Sequence, residues 1–224
     1  MTSLIGFIKR IFGGKHAPNA AESKVPNPKV IETNATEWVV DSVHTKINFK
    51  VLHMEIAEVV GSFREIEGKV KATLPSLNDL SVELTIPAHT VNTDFPQRDW
   101  HIKSPEFLDV EQYPTIKFRS TNVTWKPLKR FTMQGLVTIK GIEKSITFEG
   151  QLTNSILKDL TGEPRLGFKV YGKLNRKDFG VNFEMKLENG EQIASEIVEF
   201  EADVEITTPQ GYEKLKQFLA SMGK

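Results

Sequence analysis

Apolar and polar residues alternate with a period of two along most of the chain, from about Trp38 to Thr208. The clearest example runs from Val198 to Ile206, where apolar side chains take every second position and Glu or Asp takes each position between them. Such alternation predicts a β-strand with one buried face and one solvated face. Weaker forms of the pattern bring the total to about nine predicted strands, at 45–51, 59–63, 68–74, 81–86, 116–119, 131–139, 145–152, 167–174 and 198–206.

Many strands that are each wet on one side must close on themselves or pack as two layers. The pattern therefore predicts one all-β domain over residues 37–208. A barrel of about eight strands has room for its own side chains or for one small ligand. Alternation alone does not distinguish a barrel from a sandwich.

The two flanks of this domain have different patterns. Residues 1–12 contain a short amphipathic segment whose apolar arc spans roughly 160°, with Lys9 and Arg10 on the opposite side. This pattern is typical of an interfacial membrane helix, although a helix docked on the domain or a disordered tail has the same sequence. Residues 13–36 carry three prolines and have the composition of a linker. Residues 209–224 show helical spacing of apolar side chains and are predicted to form a helix.

Composition narrows the possible classes of function. Lys and Arg together number 29, as do Asp and Glu, so the chain lacks the basic excess of a nucleic-acid binder. The absence of Cys excludes disulfides, thiol nucleophiles and thiolate metal sites. No phosphate-binding glycine motif, nucleophile elbow or HExxH motif is present. The 14 Phe residues, against 3 Tyr and 3 Trp, suit a dry interior, whether filled or hollow.

Location is predicted only from the N-terminal pattern. The apolar run from Leu4 to Ile8 is interrupted at once by two basic residues, so it is not a clear signal peptide. No stretch approaches the ~20 apolar residues of a membrane-spanning helix. We therefore expect a cytoplasmic or peripheral membrane location rather than a periplasmic one.

The ordered set of residues across the alternating region resembles the YceI family of lipid- and polyisoprenoid-binding proteins. The matching residues are Trp38-Val39-Val40-Asp41, His44, Ile47, Phe49, Val51, His53, Met54, Gly61-x-Phe63, Gly68, Thr93-Asp94, Arg98-Asp99-x-His101-x-Lys103-Ser104-Pro105-x-Phe107, Asp109, Tyr113-Pro114, Phe118, Gly135, Thr138-Ile139-x-Gly141 and Asn175-Arg176-x-Asp178-Phe179-Gly180.

The resemblance implies an extended antiparallel lipocalin-like barrel of about eight strands with short flanking helices and a long apolar channel. It implies a bound amphiphile, such as a polyisoprenoid, a quinone precursor or a fatty-acyl compound, and no other cofactor. Family members are often secreted or periplasmic and often dimeric, so a homodimer is possible. The sequence departs from the family at its N-terminus, where a basic amphipathic segment replaces the usual secretory signal, and at Thr45, Ile66 and the turn 143–145.

Two groups of residues are candidates for a binding site. The apolar lining is predicted from the inward faces of the strands, although each residue could equally fill an ordinary core: Phe49, Val51, Phe63, Val82, Leu84, Ile86, Phe118, Met133, Val137, Phe148, Phe168, Val170 and Phe200. Contacts to a ligand head group are predicted for His53 on the inward face and for three residues of the proline-rich loop 87–115: Arg98, His101 and Lys103.

Each head-group candidate also has a structural interpretation. His53 could be a hydrogen-bonded histidine of the interior. Arg98 and Asp99 could fasten the loop by hydrogen bonds to its backbone, with Trp100 packed on the barrel. No catalytic residues and no metal ligands are predicted.

Three hypotheses follow for the function. The first is non-catalytic binding or carriage of a long apolar amphiphile. The second is a membrane-associated interaction module with a filled barrel and no ligand, held at the membrane by residues 2–12. The third is a lipid-modifying enzyme that uses His53 or His101, for which the sequence offers no partner nucleophile.

Overall fold

The computed structural model describes residues 30–222, and within them the fold is all-β with two short helices, as predicted. The N-terminal amphipathic segment and most of the linker lie outside the described residues. The strands are β1 (Glu37–Val40), β2 (Lys46–His53), β3 (Ala57–Phe63), β4 (Glu67–Lys71), β5 (Ser81–Pro87), β6 (Val91–Asn92), β7 (Thr115–Lys126), β8 (Arg130–Ile139), β9 (Ile142–Ile156), β10 (Arg165–Asn175) and β11 (Ala194–Thr207). The helices are α1 (Pro96–Lys103) and α2 (Pro209–Met222).

Eight of the strands close into an antiparallel barrel. Their order is β1-β4-β5-β7-β8-β9-β10-β11, and pairing of β1 with β11 completes the ring. This confirms the predicted lipocalin-like barrel and removes the sandwich alternative. The closing contact is short, with Val39 opposite Thr207 and Val40 opposite Ile206.

The remaining strands extend the wall at one end of the barrel. β2 pairs with the N-terminal half of β11, along the same edge that β1 uses further on. β3 then pairs with β2, and β6 pairs with β3. We call the end that contains the β1–β11 contact the seam end. The opposite end, which contains α1 and residues 104–114 and 176–193, is the loop end.

Side chains fill the barrel at the seam end. Trp38 and Phe131 are 1% exposed, and Leu152 and Leu166 are completely buried. The Trp38 indole donates a hydrogen bond of 3.0 Å to the carbonyl oxygen of Ala72. A buried indole needs such an acceptor, and this hydrogen bond fixes the Trp38 ring at the seam end of the barrel.

A buried ion cluster lies directly beside the closing contact. Asp41, which follows β1, is 0% exposed and accepts hydrogen bonds from Arg165 at the start of β10 and from the backbone of Val43. Arg165 also donates to Asp159 at 3.0 Å and to Glu205 on β11 at 2.8 Å. The cluster therefore joins β1, β10 and β11 where only two residue pairs close the ring.

Asp41→Asn should weaken this closure. We expect the free energy of unfolding to fall by about 1–3 kcal/mol, because a buried guanidinium loses a charged hydrogen-bond partner. Chemical denaturation measures this change. The matched control is Asp203→Asn, an exposed carboxylate that lies 3.4 Å from Lys169, for which a change below about 0.5 kcal/mol is expected.

The same cluster should make stability depend on acid pH. Burial alone would raise the pKa of Asp41, but hydrogen bonds from Arg165, His44 and Val43 outweigh burial and hold that pKa below its ordinary value of 3.8. The pKa of Asp159 is lowered against burial in the same way, by Thr161 and Arg165.

Because the folded pKa values are depressed, the stability that these carboxylates contribute is fully present above the unfolded pKa and is lost as pH falls through the folded pKa. Unfolding free energies measured from neutral pH to about pH 3 should fall less steeply for Asp41→Asn than for the wild type. Parallel curves for the two proteins would contradict a role of Asp41 in acid sensitivity.

Candidate functional site

An apolar cavity of about 280 Å³ occupies the barrel interior. Every strand of the closed ring contributes to its wall, because the period-two alternation turns one face of each strand inward. Nine of the 14 Phe residues of the chain line the cavity: Phe49, Phe63, Phe107, Phe118, Phe131, Phe148, Phe168, Phe179 and Phe200.

All thirteen residues of the predicted apolar lining border this cavity. Their contact with a ligand stays a prediction. The sequence reasoning missed the contributions of the loop end, where Ile102, Leu108 and Val181 also face the cavity. These residues lie outside the alternating strands, so no periodicity pointed to them.

The loop end is covered by α1 and the segment that follows it. Pro96 occupies the first turn of α1, where its missing N–H costs no hydrogen bond. The chain then folds back on the helix through hydrogen bonds from Leu108 N to Ile102 O (3.0 Å) and from Val110 N to Lys103 O (3.1 Å). This compact fold places Ile102 and Leu108 over the cavity.

Arg98 and Asp99 fasten the loop before α1. Arg98 donates to the Thr93 hydroxyl (2.8 Å) and to the Thr93 carbonyl oxygen (2.7 Å). The Asp99 carboxylate accepts from the backbone N–H and the hydroxyl of Thr93, at 2.7 and 2.6 Å. The structural interpretation of this pair is therefore correct for Arg98 and Asp99. It is wrong for Trp100, which is 75% exposed and does not pack on the barrel.

The other head-group candidates also lie at the loop end. His101 Nε2 lies 2.5 Å from Glu106 Oε2, and the ring meets Phe107 and Phe183 edge-on. His53 ends β2 and pairs with Ala194 of β11, and Lys103 ends α1. None of the four head-group candidates, which are His53, Arg98, His101 and Lys103, borders the cavity. Their role as head-group contacts stays a prediction.

Arg176 is a cation in the cavity wall that the sequence reasoning did not select. It follows β10, is 6% exposed and borders the cavity. Its guanidinium donates to the carbonyl oxygens of Ser195 (3.0 Å), Val181 (2.7 Å) and Ala194 (3.2 Å). Burial lowers its pKa, and the charges of Glu196 and Glu184 offset this only in part.

A signal for Arg176 was present in the sequence. The Asn-Arg-x-Asp-Phe-Gly stretch places a basic residue two positions after the alternating segment 167–174, and in the structure the same turn holds the fully buried Phe179. Arginine remains charged inside proteins, so its burial beside an apolar cavity needs acceptors. Backbone carbonyls supply three of them.

The cavity wall offers little acid–base or nucleophilic chemistry. Among the described residues that line it, the polar or ionisable side chains are Lys117, Tyr171 and Arg176, and Lys117 and Tyr171 are exposed. Outside the cavity, ligand atoms of Asp41, His44 and Glu205 lie within 4.8 Å of one another, as in a metal site. Arg165 already donates to both of these carboxylates, so their negative charge has a partner.

An antiparallel ring of eight strands around an apolar cavity defines a lipocalin-like β-barrel protein. The family model described as "YceI-like domain" matches residues 38–206, and the chain belongs to this family. No described helix has the length and apolar character needed to cross a membrane.

Curated relatives and solved structures agree with the family. "UPF0312 protein SA2479" of Staphylococcus aureus is 29% identical over 172 residues, which cover 77% of this chain and 98% of the relative. The structure of BcnA from Burkholderia cenocepacia has a TM-score of 0.64 at 16% identity and covers 74% of this chain and 98% of its own.

Two further solved structures share the fold. A polyisoprenoid binding domain from Saccharophagus degradans has a TM-score of 0.58 at 11% identity, with coverage of 78% and 100%. The YCEI protein of Campylobacter jejuni has a TM-score of 0.54 at 25% identity, with coverage of 66% and 86%.

Proposed function

We propose that this protein binds a long apolar amphiphile inside its barrel and carries it without chemical change. The observation that carries the proposal is the cavity of about 280 Å³, whose wall is built from the apolar faces of the strands. Protein interiors are normally close-packed, so a cavity of this size is unusual in a plain core. An engineered apolar cavity of about 150 Å³ is already large enough to bind benzene.

The wall chemistry favours a chain-like apolar ligand. Burial of one methylene group is worth about 0.8 kcal/mol, so a long chain gains affinity at every carbon without any polar contact. A polyisoprenoid, a quinone precursor and a fatty-acyl compound share this property. A structural neighbour described as a polyisoprenoid binding domain makes isoprenoids the first class to test.

Arg176 is our proposed contact for the polar head of the ligand. A guanidinium carries five N–H donors, and three hydrogen bonds to carbonyl oxygens leave capacity for an acceptor in the cavity. His53 lies at the same end of the barrel, because its backbone pairs with that of Ala194, whose carbonyl oxygen accepts a hydrogen bond from Arg176. A head group at this end could extend toward Arg98, His101 and Lys103 on and beside α1.

The alternative hypotheses make different demands on the barrel. An interaction module with a filled barrel would not need an apolar cavity of this size. A lipid-modifying enzyme would need a nucleophile or an acid–base pair at the cavity, and the family assignment instead points to a binding protein. Membrane contact through residues 2–12 and a homodimer remain separate proposals, since neither follows from the cavity.

Native mass spectrometry of the purified protein tests the carrier proposal directly. We expect a stoichiometric apolar passenger that organic extraction releases unchanged, or one-to-one uptake of an added polyprenol or fatty acid. A protein that carries no passenger and takes up neither compound would contradict the proposal and favour the interaction module.

Arg176→Met tests the head-group contact. For geranylgeraniol we expect affinity to fall about tenfold to a hundredfold, because a hydrogen bond from a charged donor is lost. The isoprenoid hydrocarbon of the same chain length should bind the variant within about threefold of the wild type, since it makes no such bond.

Arg119→Met, at an exposed arginine of β7, is the control and should bind both compounds as the wild type does. An equal loss of affinity for both compounds in Arg176→Met would assign Arg176 to the support of the loop end alone.

A further inference from the structure

Five glycines occupy inward-facing positions within strands; Gly68 on β4 lies against the aliphatic side chains of Val40 and Leu84, and the other four share a different kind of neighbour. These four are Gly61 on β3, Gly135 on β8, Gly150 on β9 and Gly172 on β10, and each has cavity-lining residues two positions away on its own strand. Glycine weakens a strand interior and often marks a close approach of another group. Its repeated use at inward positions of one barrel therefore calls for a specific neighbour.

That neighbour is a phenylalanine ring of the adjacent strand in all four cases. A Cβ atom added to Gly61 would lie less than 3.0 Å from the ring of Phe49, which is its direct cross-strand partner. Gly150 has the same relation to its cross-strand partner Phe131. The rings of Phe118 and Phe148 stand equally close to the two remaining glycines, Gly135 and Gly172 respectively.

This contact determines where the rings lie. A ring whose atoms occupy the place of a side chain on the next strand leans toward that strand. Phe148 and Phe118 also meet each other edge-to-face, with ring centroids 5.4 Å apart. The sequence of contacts Gly172–Phe148–Phe118–Gly135 thus forms an aromatic belt across β7 to β10, and both rings border the cavity.

We propose that the glycines beside these rings set the width of the ligand channel and so determine how well it accepts a methyl-branched chain relative to an unbranched one. The three atoms nearest to a methyl group at Gly172 all belong to the ring of Phe148, and the nearest lies less than 3.0 Å away. The ring must then turn inward and narrow the channel. This inference rests on the proposed carrier function and assigns selection by chain width to these glycines.

Gly172→Ala tests the inference with two alcohols of similar length, geranylgeraniol as the branched probe and hexadecanol as the unbranched probe. We expect affinity for geranylgeraniol to fall about tenfold or more, since one methyl group in an apolar pocket discriminates by this factor. Affinity for hexadecanol should stay within about threefold of the wild type.

The chain offers a matched control on the same strand. Gly167 faces outward on β10, and a Cβ atom there would meet the Thr153 hydroxyl instead of a ring of the cavity. Gly167→Ala should leave the ratio of the two affinities unchanged. Thermal unfolding of both variants reports any general loss of stability.

A second change separates width from a simple structural defect. Phe148→Leu removes ring atoms above residue 172, so in the Gly172→Ala background it should restore at least part of the affinity for geranylgeraniol. Such recovery is the non-additivity expected of two residues in contact. If Gly172→Ala does not fold, the same two affinities are measured for Gly61→Ala and for Gly61→Ala with Phe49→Leu. The same pattern of loss and recovery is then expected.

The possible failures are distinguishable. A wild-type protein that binds neither alcohol would overturn the carrier function together with this inference. A wild-type protein that binds both, with Gly172→Ala unchanged in both affinities, would overturn only the assignment of width to the glycines. Equal losses for both alcohols, without recovery in the double variant, would overturn it as well.

Discussion

The barrel depends on a closing contact that is short for the structure it completes. β11 divides its outer edge between β1 near its C-terminus and β2 along its N-terminal half, so β1 has only two residue pairs with which to close the ring. Two residue pairs provide few backbone hydrogen bonds, so these alone would close the ring weakly. The Asp41–Arg165 cluster adds charged hydrogen bonds from three separate elements at that place. Since Asp41 is buried and Arg165 is nearly so, loss of Arg165 would leave the carboxylate of Asp41 in the interior without its charged partner.

The two ends of the barrel differ in how their interior is packed. At the seam end, Trp38, Phe131 and Leu166 are nearly or completely buried and fill the interior. Toward the loop end, the rings of Phe49, Phe118 and Phe148 lie against glycines of the neighbouring strands and border the cavity. A cavity lowers packing energy, so the structure needs a well-packed region elsewhere. The closely packed seam end is this region.

Much of this architecture could be predicted from the sequence because a β-strand enforces a period of two. Once Phe200 is assigned to the interior, Val198 and Val204 must follow, and the same logic located all thirteen predicted lining residues around the cavity. Strands β1 and β6 have four and two residues, too few for alternation to be visible. Arg176 and the loop-end residues could not be selected in this way, since their positions depend on contacts between distant segments and on no local period.

The covering segment at the loop end differs from the wall in how its backbone is bonded. All backbone hydrogen bonds found for residues 95–113 join residues within that segment, from Asp99 N to Phe95 O through to Tyr113 N to Asp109 O. One side-chain hydrogen bond, from Lys140 Nζ to Pro105 O at 2.9 Å, ties it to the β8–β9 turn. Displacement of the segment would therefore leave the ladder of every strand intact, and the side-chain hydrogen bonds that oppose it come from Lys140 and from the contacts of Arg98 and Asp99 with Thr93. For the proposed carrier, exchange of a passenger would then require a local opening of this segment and not unfolding of the barrel, so that the barrel would act as a durable container with a replaceable contact at its mouth.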